Sequence, residues 1–363
     1  METKDAIIAT LPVKPQRDTN IGMMLSPTIM DFIGTVLNIE KNIGFNIMHS
    51  YEDKDCELDE YLNYVNESGI EYDSVFIDGK HVDQLIEIVD KMYHDGFLKV
   101  KQKEKIRCEC GRVDMLHAIS NNAKLYSIKD DKIICNYCGK ECKKYNEKSL
   151  LFELKDKEQL PSICPTYLKK EMASFASSFG DSDVLVSKNR DNGYSLETLS
   201  GKFNIDIDFL WSNYFKLYEH PNQIYIASNH QIFPMYIMSY LAAKTSDKKL
   251  FFIANPYLNV DLKEAKKQYE MRQLREYKKL LLLYNLKWQN KNCKWSDSNT
   301  TYLNGISETK IKNLYNSMIL DSQEFLANSN LQLEEVLFRI LNDKTNMQNN
   351  IKKMKKLYRE GRL

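Results

Sequence analysis

The chain has no long apolar run, no excess of one charge and little glycine or proline. The run Leu280 to Leu286 (LLLLYNL) falls far short of the roughly 20 residues that a membrane helix needs. That excludes a helical membrane span. The opening METKDAIIATLPV has neither a long apolar core nor a small-residue cleavage site, so no secretory signal is expected. Lys plus Arg is 51 against 50 for Asp plus Glu, which excludes a global basic field. Any contact with nucleic acid has to come from a local patch. Only 13 glycines and 8 prolines occur in 363 residues, too few for a low-complexity or collagen-like chain. No internal repeat is visible.

What is present is cysteine, in a pattern. Eight cysteines without a secretory signal point to reduced thiols and metal, not to disulfides, and to a cytoplasmic protein. Four of them form two knuckles, Cys108-Glu-Cys110-Gly and Cys135-Asn-Tyr-Cys138-Gly, separated by a 24-residue span. Thiolates are soft ligands, and Zn²⁺ takes four of them in a closed tetrahedron. The glycine after each pair supplies the turn that a knuckle needs. The expected site is therefore structural zinc on Cys108, Cys110, Cys135 and Cys138, with Cys142 as a possible substitute ligand. Four unrelated buried cysteines are the alternative. Cys56, Cys164 and Cys293 stand alone and read as ordinary thiols.

Around the knuckles the chain reads as α/β. Ala6 to Leu11 is a short apolar run closed by Pro12, as in a buried strand. A polar loop, Lys14 to Asn20, leads to Ile21-Gly22. A helix is expected from Ser26-Pro27, with Ile29, Ile33, Val36 and Leu37 on one face. Phe45 to Met48 reads as the next strand. Leu58 to Asn66 and Val82 to His94 read as helices, the second ended by Gly96. Alternation of strands and helices is the grammar of a parallel sheet.

Residues 100 to 150 are Lys- and Cys-rich, with short strands over Lys124 to Ile128 and Lys132 to Ile134. They read as a small insertion held together by metal. Beyond it, strands are expected over Asp183 to Val186, Ile224 to Ala227 and Leu250 to Ala254, with a helix over Ile232 to Ala243. From about Lys263 onward the chain reads as helical, with Ile311, Leu314, Tyr315, Met318, Val336, Leu337 and Ile340 at helical spacing. The expected fold class is α/β: a parallel-sheet, Rossmann-like nucleotide-binding domain split into halves (1–99 and 151–265), a zinc-knuckle insertion (100–150) and a helical C-terminal region (266–363).

In such a sheet, the loop after the first strand and the following helix start form the usual phosphate cradle. Asn20-Ile21-Gly22-Met23 lies there, although one glycine proves little by itself and a plain turn also accounts for it. The order of these features resembles class I aminoacyl-tRNA synthetases, most closely the methionyl, leucyl and isoleucyl branch. In that family a first strand and proline-rich loop precede the signature His-Ile-Gly-His, whose place Asn20-Ile-Gly-Met23 takes. A zinc-bearing insertion between the sheet halves matches Cys108 to Cys138. Val186 to Ser195 resembles the family's Ser-Arg-x-x-x-Trp-Gly-Ile-Pro stretch. Asp208-Phe-Leu-Trp211-Ser-Asn213 resembles the Val-Trp-Phe-Asp motif that lines the amino-acid pocket. Tyr225 to His230 resembles the Gly-Lys-Asp segment that holds the adenylate ribose. Leu250 to Val260 resembles the strand leading into the Lys-Met-Ser-Lys-Ser loop. The resemblance spans about residues 6 to 265.

The resemblance implies ATP-dependent activation of an amino acid, methionine by nearest likeness, for transfer to tRNA or another acceptor. ATP with Mg²⁺ would be the cofactor. Catalysis would rest on backbone amides around Gly22 and on Lys263 or Lys266 acting on phosphate. Trp211, Asn213, Asn229 and His230 would contact substrate. The departures are as definite as the matches. Asn20 and Met23 replace both signature histidines, which in the family contact the ATP phosphates as charge develops. Asn213 and Asn229 replace aspartates. Asp261 to Lys267 carries lysines without the Lys-Met-Ser-Lys-Ser pattern. These losses leave open a catalytically inactive paralogue that binds tRNA, a nucleotide or a protein partner. A zinc-ribbon nucleic-acid binder is a third reading, which leaves the second-half matches unexplained.

Several charged groups have two readings. His230 serves a pocket or is a hydrogen-bonded structural histidine. Lys188 and Arg190 touch phosphate or belong to a solvated loop. Glu52, Asp53 and Asp55 follow a strand in a possible site, or favour a helix N-terminus. The basic tail, Lys352 to Arg362, neutralises an RNA backbone or is simply solvated.

Overall fold

A computed structural model describes residues 5–13, 20–48, 55–110, 126–155, 162–178, 183–187, 194–259, 261–285, 292–295, 297–329 and 333–342. The first half contains β1 (Ala6–Thr10), a 3-10 turn (Ile21–Met24) running into α1 (Leu25–Leu37), β2 (Glu40–Phe45), α2 (Asp55–Glu67), β3 (Ser74–Ile77) and α3 (Val82–His94). Next come β4 (Lys99–Arg107), β5 (Tyr126–Lys129), β6 (Lys132–Cys135), β7 (Lys143–Glu153), β8 (Ser162–Cys164), α4 (Tyr167–Ser178) and β9 (Asp183–Leu185). These are followed by β10 (Tyr194–Thr198), β11 (Gly201–Ile205), α5 (Ile207–Trp211), β12 (Asn222–Ser228), α6 (Ile232–Thr245), β13 (Lys249–Asn255) and β14 (Tyr257–Asn259). The remainder is α7 (Leu262–Glu270), α8 (Arg275–Asn285), β15 (Asn292–Lys294), α9 (Asp297–Asn304), α10 (Glu308–Asn328) and α11 (Leu333–Asn342).

Six strands form one parallel sheet in the order β3-β2-β1-β12-β13-β8. Both faces are covered, as all-parallel sheets require. Period-2 alternation sorts the central strands. Ile8, Ile224, Ile226, Phe251 and Ile253 face a core with α1, α2, α8 and α10. Ala9, Tyr225, Ala227, Phe252 and Ala254 face a second core with α3, α4, α5 and α6. The LLLL run belongs to α8, where Leu280, Leu281 and Leu282 are almost wholly buried. Each contributes on the order of 2 kcal/mol over exposure. No helix of the described residues is long and apolar enough to cross a membrane.

The strand expected at Phe45 to Met48 lies earlier, at Glu40–Phe45. Its polar residues concealed it, because each finds a buried partner. Lys41 Nζ reaches Asp31 at 3.0 Å, and Asn42 Nδ2 donates to Ser74 Oγ at 2.7 Å. Strands β3 and β8, four and three residues long, were too short to show a pattern. The strand expected at Asp183 to Val186 forms, but in an antiparallel sheet, β4-β7-β9. The Lys-rich character of residues 99–107 conceals the longest ladder among the described residues. Lys99, Lys101, Lys103 and Lys105 alternate on one face of β4 and meet Glu147 and Glu153 of β7 and Asp183 of β9. Lys101, Lys155 and Lys99 hold the Glu153 carboxyl down at about 2. The helical C-terminal part also contains a strand, β15, which pairs with β14 from before it.

Candidate functional site

The sheet reverses its winding at β1. Strands β2 and β3 extend to one side and β12 and β13 to the other, so a crevice opens beyond the C-terminal ends of β1 and β12. Its near edge is shaped by a close approach of backbone. Leu11 N donates to Ile226 O at 2.9 Å, continuing the sheet past β1, and Val13 then pairs with Phe45. Pro12 presses on Gly44 between these two bonds. A Cβ on Gly44 would stand 2.7 Å from Thr10 O, so only glycine fits.

Asn20, Gly22 and Met23 come together here. Asn20 is the N-cap of the 3-10 turn, and its Oδ1 accepts from Gly22 N at 2.9 Å. Met23 N donates to Asn20 O at 3.0 Å. Asparagine is thus at this position for a local reason, since its short side chain satisfies one of the free amides of a helix start. Met23 is half-buried and Met24 is buried behind it. Ser26 Oγ, one turn on, donates to Asn255 Oδ1 at 3.0 Å and ties α1 to the end of β13.

The opposite edge is Ser228-Asn229-His230. Asn229 is buried, and its N donates to Asn255 O at 2.9 Å. Gln231 Oε1 accepts from Ser228 N at 2.9 Å, closing the turn before α6. His230 is exposed, with its ring edge-on to Tyr257 at 5.1 Å. Tyr257 is 52% exposed and was not singled out by sequence reasoning, although the Asn255-Pro256 break after an apolar strand marks its loop.

Trp211 ends α5 in the core that covers the Ala9, Ala227 and Ala254 face, and Asn213, two residues on, is buried. Asn213 Nδ2 donates to Phe209 O at 3.0 Å. Asn213 Oδ1 and Trp211 Nε1 are both buried and find no hydrogen-bond partner among the described residues. A buried polar atom left unsatisfied costs about 1–3 kcal/mol.

The two lysines stand on α7, which packs on the 3-10 turn. Lys263 is exposed in the first turn, where its backbone N donates to Asp261 Oδ1 at 2.9 Å. Lys266 is turned towards Glu270 at 3.9 Å and lies over the Tyr64 ring at 5.9 Å. Lys188, Arg190, Glu52, Asp53 and the basic tail lie outside the described residues, as do the side chains of Asp55, Cys56 and Cys293.

The four knuckle sulfurs converge at the far end of the β4–β7 ladder. They lie within 4.8 Å of one another, with Cys108 and Cys138 Sγ 3.3 Å apart and Cys110 and Cys135 Sγ 3.7 Å apart. A metal–sulfur bond of about 2.3 Å sets a tetrahedral edge of about 3.8 Å, so the cluster fits a tetrahedral ion. Gly139, at φ +71, turns the second knuckle back so that its N donates to Cys135 O and Cys135 N donates to Lys140 O, each at 2.9 Å. Burial works against ionisation of Cys135. The backbone amides of Cys138 and Tyr137, with the neighbouring thiols, outweigh it and bring the group down to about 6. Four protein ligands leave no open position, which is the arrangement of a structural site.

No protein-family model matches the chain, and no curated protein matches it. Solved structures do. The chain is similar to Mycobacterium tuberculosis methionyl-tRNA synthetase in complex with methionyl-adenylate at 14% identity and a TM-score of 0.60, covering 89% of this chain and 72% of that one. A second structure of that enzyme bound by methionyl-adenylate is matched at 12% identity and a TM-score of 0.62, over 94% and 83% of the two chains. The apo form is matched at 12% and 0.60, over 94% and 80%. The chain therefore has a class I aminoacyl-tRNA synthetase-like fold: a Rossmann-like parallel sheet with a four-cysteine cluster able to hold a metal.

Proposed function

We propose that this chain takes an amino acid and ATP into the crevice beyond β1 and β12 and activates the carboxylate as an adenylate, for transfer to tRNA or another acceptor. The observation that carries this reading is the pair of orphaned buried atoms beside the central strands. Trp211 Nε1 is a donor, suited to a carboxylate oxygen, and Asn213 Oδ1 is an acceptor, suited to an ammonium. Asn229 and His230 at the end of β12 are then placed for the nucleotide side, with Lys263 for phosphate. Mg²⁺ would accompany ATP, methionine is the nearest amino acid by likeness, and Zn²⁺ is the ion assigned to the cysteines. The fourfold division of the chain at 99/100, 150/151 and 265/266 and a cytoplasmic location belong to the same reading. The test is ATP–pyrophosphate exchange on zinc-loaded protein with each standard amino acid separately. Exchange that depends on one amino acid is expected. No exchange with any of them overturns activation of a standard amino acid.

A second reading is favoured by one contact. Gly22 N, the amide that a phosphate would use, already donates to Asn20 Oδ1, and Met23 offers no donor side chain. An inactive paralogue that binds amino acid, nucleotide, tRNA or a protein partner accounts for that. Calorimetric binding of amino acid or ATP without exchange would select it.

A further inference from the structure

The cysteine cluster contains a fifth thiol that four-coordinate metal does not use. Cys142 is buried and packs with Cys108, Cys135 and Tyr126 in one small core. Its sulfur lies 4.0 Å from Lys140 O, while Cys108 Sγ stands 3.3 Å from Cys138. Cys108 thus stands against the ligand Cys138 and shares one small core with the non-ligand Cys142. The backbone of Cys142 is fixed, because its N donates to Ile133 O at 2.7 Å and Glu141 bridges to Ile134. The ligands are unequally protected: Cys108 and Cys135 are buried, whereas Cys110 and Cys138 are exposed.

We propose that Cys142 is a reserve metal ligand, which completes the tetrahedron when the exposed Cys138 is lost or modified. Zn²⁺ has no geometric preference from its d-electrons, so one thiolate replaces another without an electronic penalty. The required movement is small. A change of side-chain rotamer at χ1 displaces a cysteine sulfur by about 3 Å, comparable with the separations already present in the cluster. The backbone bonds that hold residues 133–142 need not break. The metal is then retained through damage at its most accessible bond. This inference rests on the reading of the cluster as a zinc site, which the metal content of the wild-type protein decides separately.

The experiment uses the full chain with Cys138→Ala, chosen because alanine offers no ligand atom, and Cys138→Ser as a second variant. Each is also combined with Cys142→Ala. Zinc content is measured by atomic emission, and the number of thiolates by the sulfur-to-metal charge-transfer absorption of the cobalt(II)-substituted proteins. Circular dichroism checks that the rest of the chain is folded. Both single variants are expected to keep one equivalent of metal with a four-thiolate cobalt spectrum. Both double variants should show three thiolates and at least tenfold weaker metal retention against a chelator. Cys142→Ala alone should keep four thiolates. A three-thiolate spectrum or loss of metal in the folded single variants overturns the proposal, as does equal metal retention in single and double variants.

Discussion

Asp31 offers the sharpest test of how the two ends of the chain are joined. It lies on α1, 1% exposed, and its two carboxylate oxygens meet Lys41 of β2 at 3.0 Å and Lys279 of α8 at 2.6 Å. Lys279 also lies over the Tyr315 ring of α10 at 5.2 Å. One carboxylate therefore connects the first helix, the sheet and two helices of the C-terminal part. Removing its charge leaves two nearly buried ammonium groups facing each other. Ammonium groups that share a carboxylate stand on the order of 5 Å apart, and at an effective dielectric of about 20 they repel by about 3 kcal/mol. This agrees with the roughly 3–5 kcal/mol lost when one partner of a buried ion pair is removed. Asp31→Asn preserves the shape of the side chain and is expected to lower stability by about 3 kcal/mol in urea unfolding followed by circular dichroism, with an unchanged m-value. Replacing the charges together, as Asp31→Leu with Lys41→Met and Lys279→Met, should recover most of that loss, because apolar groups of similar volume often replace a buried ion cluster at little cost. A loss below about 1 kcal/mol for Asp31→Asn would refute the reasoning, since it would mean that water or Glu71, 3.7 Å from Lys41, already compensates the lysines.

Three further outcomes follow from particular contacts. Asn20→Ala removes the cap on Gly22 N, lowers stability by about 1 kcal/mol and, with that amide released, tightens ATP binding in calorimetry; unchanged ATP affinity would show that the amide does not meet the nucleotide. Gly44→Ala forces Thr10 and Pro12 apart and costs about 1–3 kcal/mol in the same urea assay, whereas a neutral result would mean that the β1 loop yields freely. Glu153 is held at about 2 by its lysines, so its contribution is fully present above the ordinary carboxylate range and is lost as pH falls from about 4.5 towards 2. The stability difference between wild type and Glu153→Gln should be constant above about pH 5 and shrink through that acid window. A difference that does not change with pH would sink the assignment.

The sequence by itself determined the features that depend on local spacing. The cysteine knuckles were legible because each pair of sulfurs is set by a short turn, the second with a glycine at positive φ, and the spacing of the four is that of a metal site. The strands β1, β12 and β13 were legible because a parallel strand buried on both faces is a continuous apolar run. Helix α3 was legible from its 3.6-residue period and from Gly96, which ends it at φ +74. Tertiary structure alone decided which polar residues would be buried. Lys41 and Asn42 look like solvent-facing residues until Asp31, Ser74 and Tyr218 surround them. The lysines of β4 look like an insertion until β7 and β9 bring carboxylates opposite. Tertiary structure also set the strand order, and with it the meeting of Asn20 and Asn229 at one crevice, 209 residues apart in the chain. The physical reason is the same in each case. A turn or an apolar period is satisfied by neighbours in sequence, whereas a buried charge or amide is stable only beside partners that the chain brings from far away.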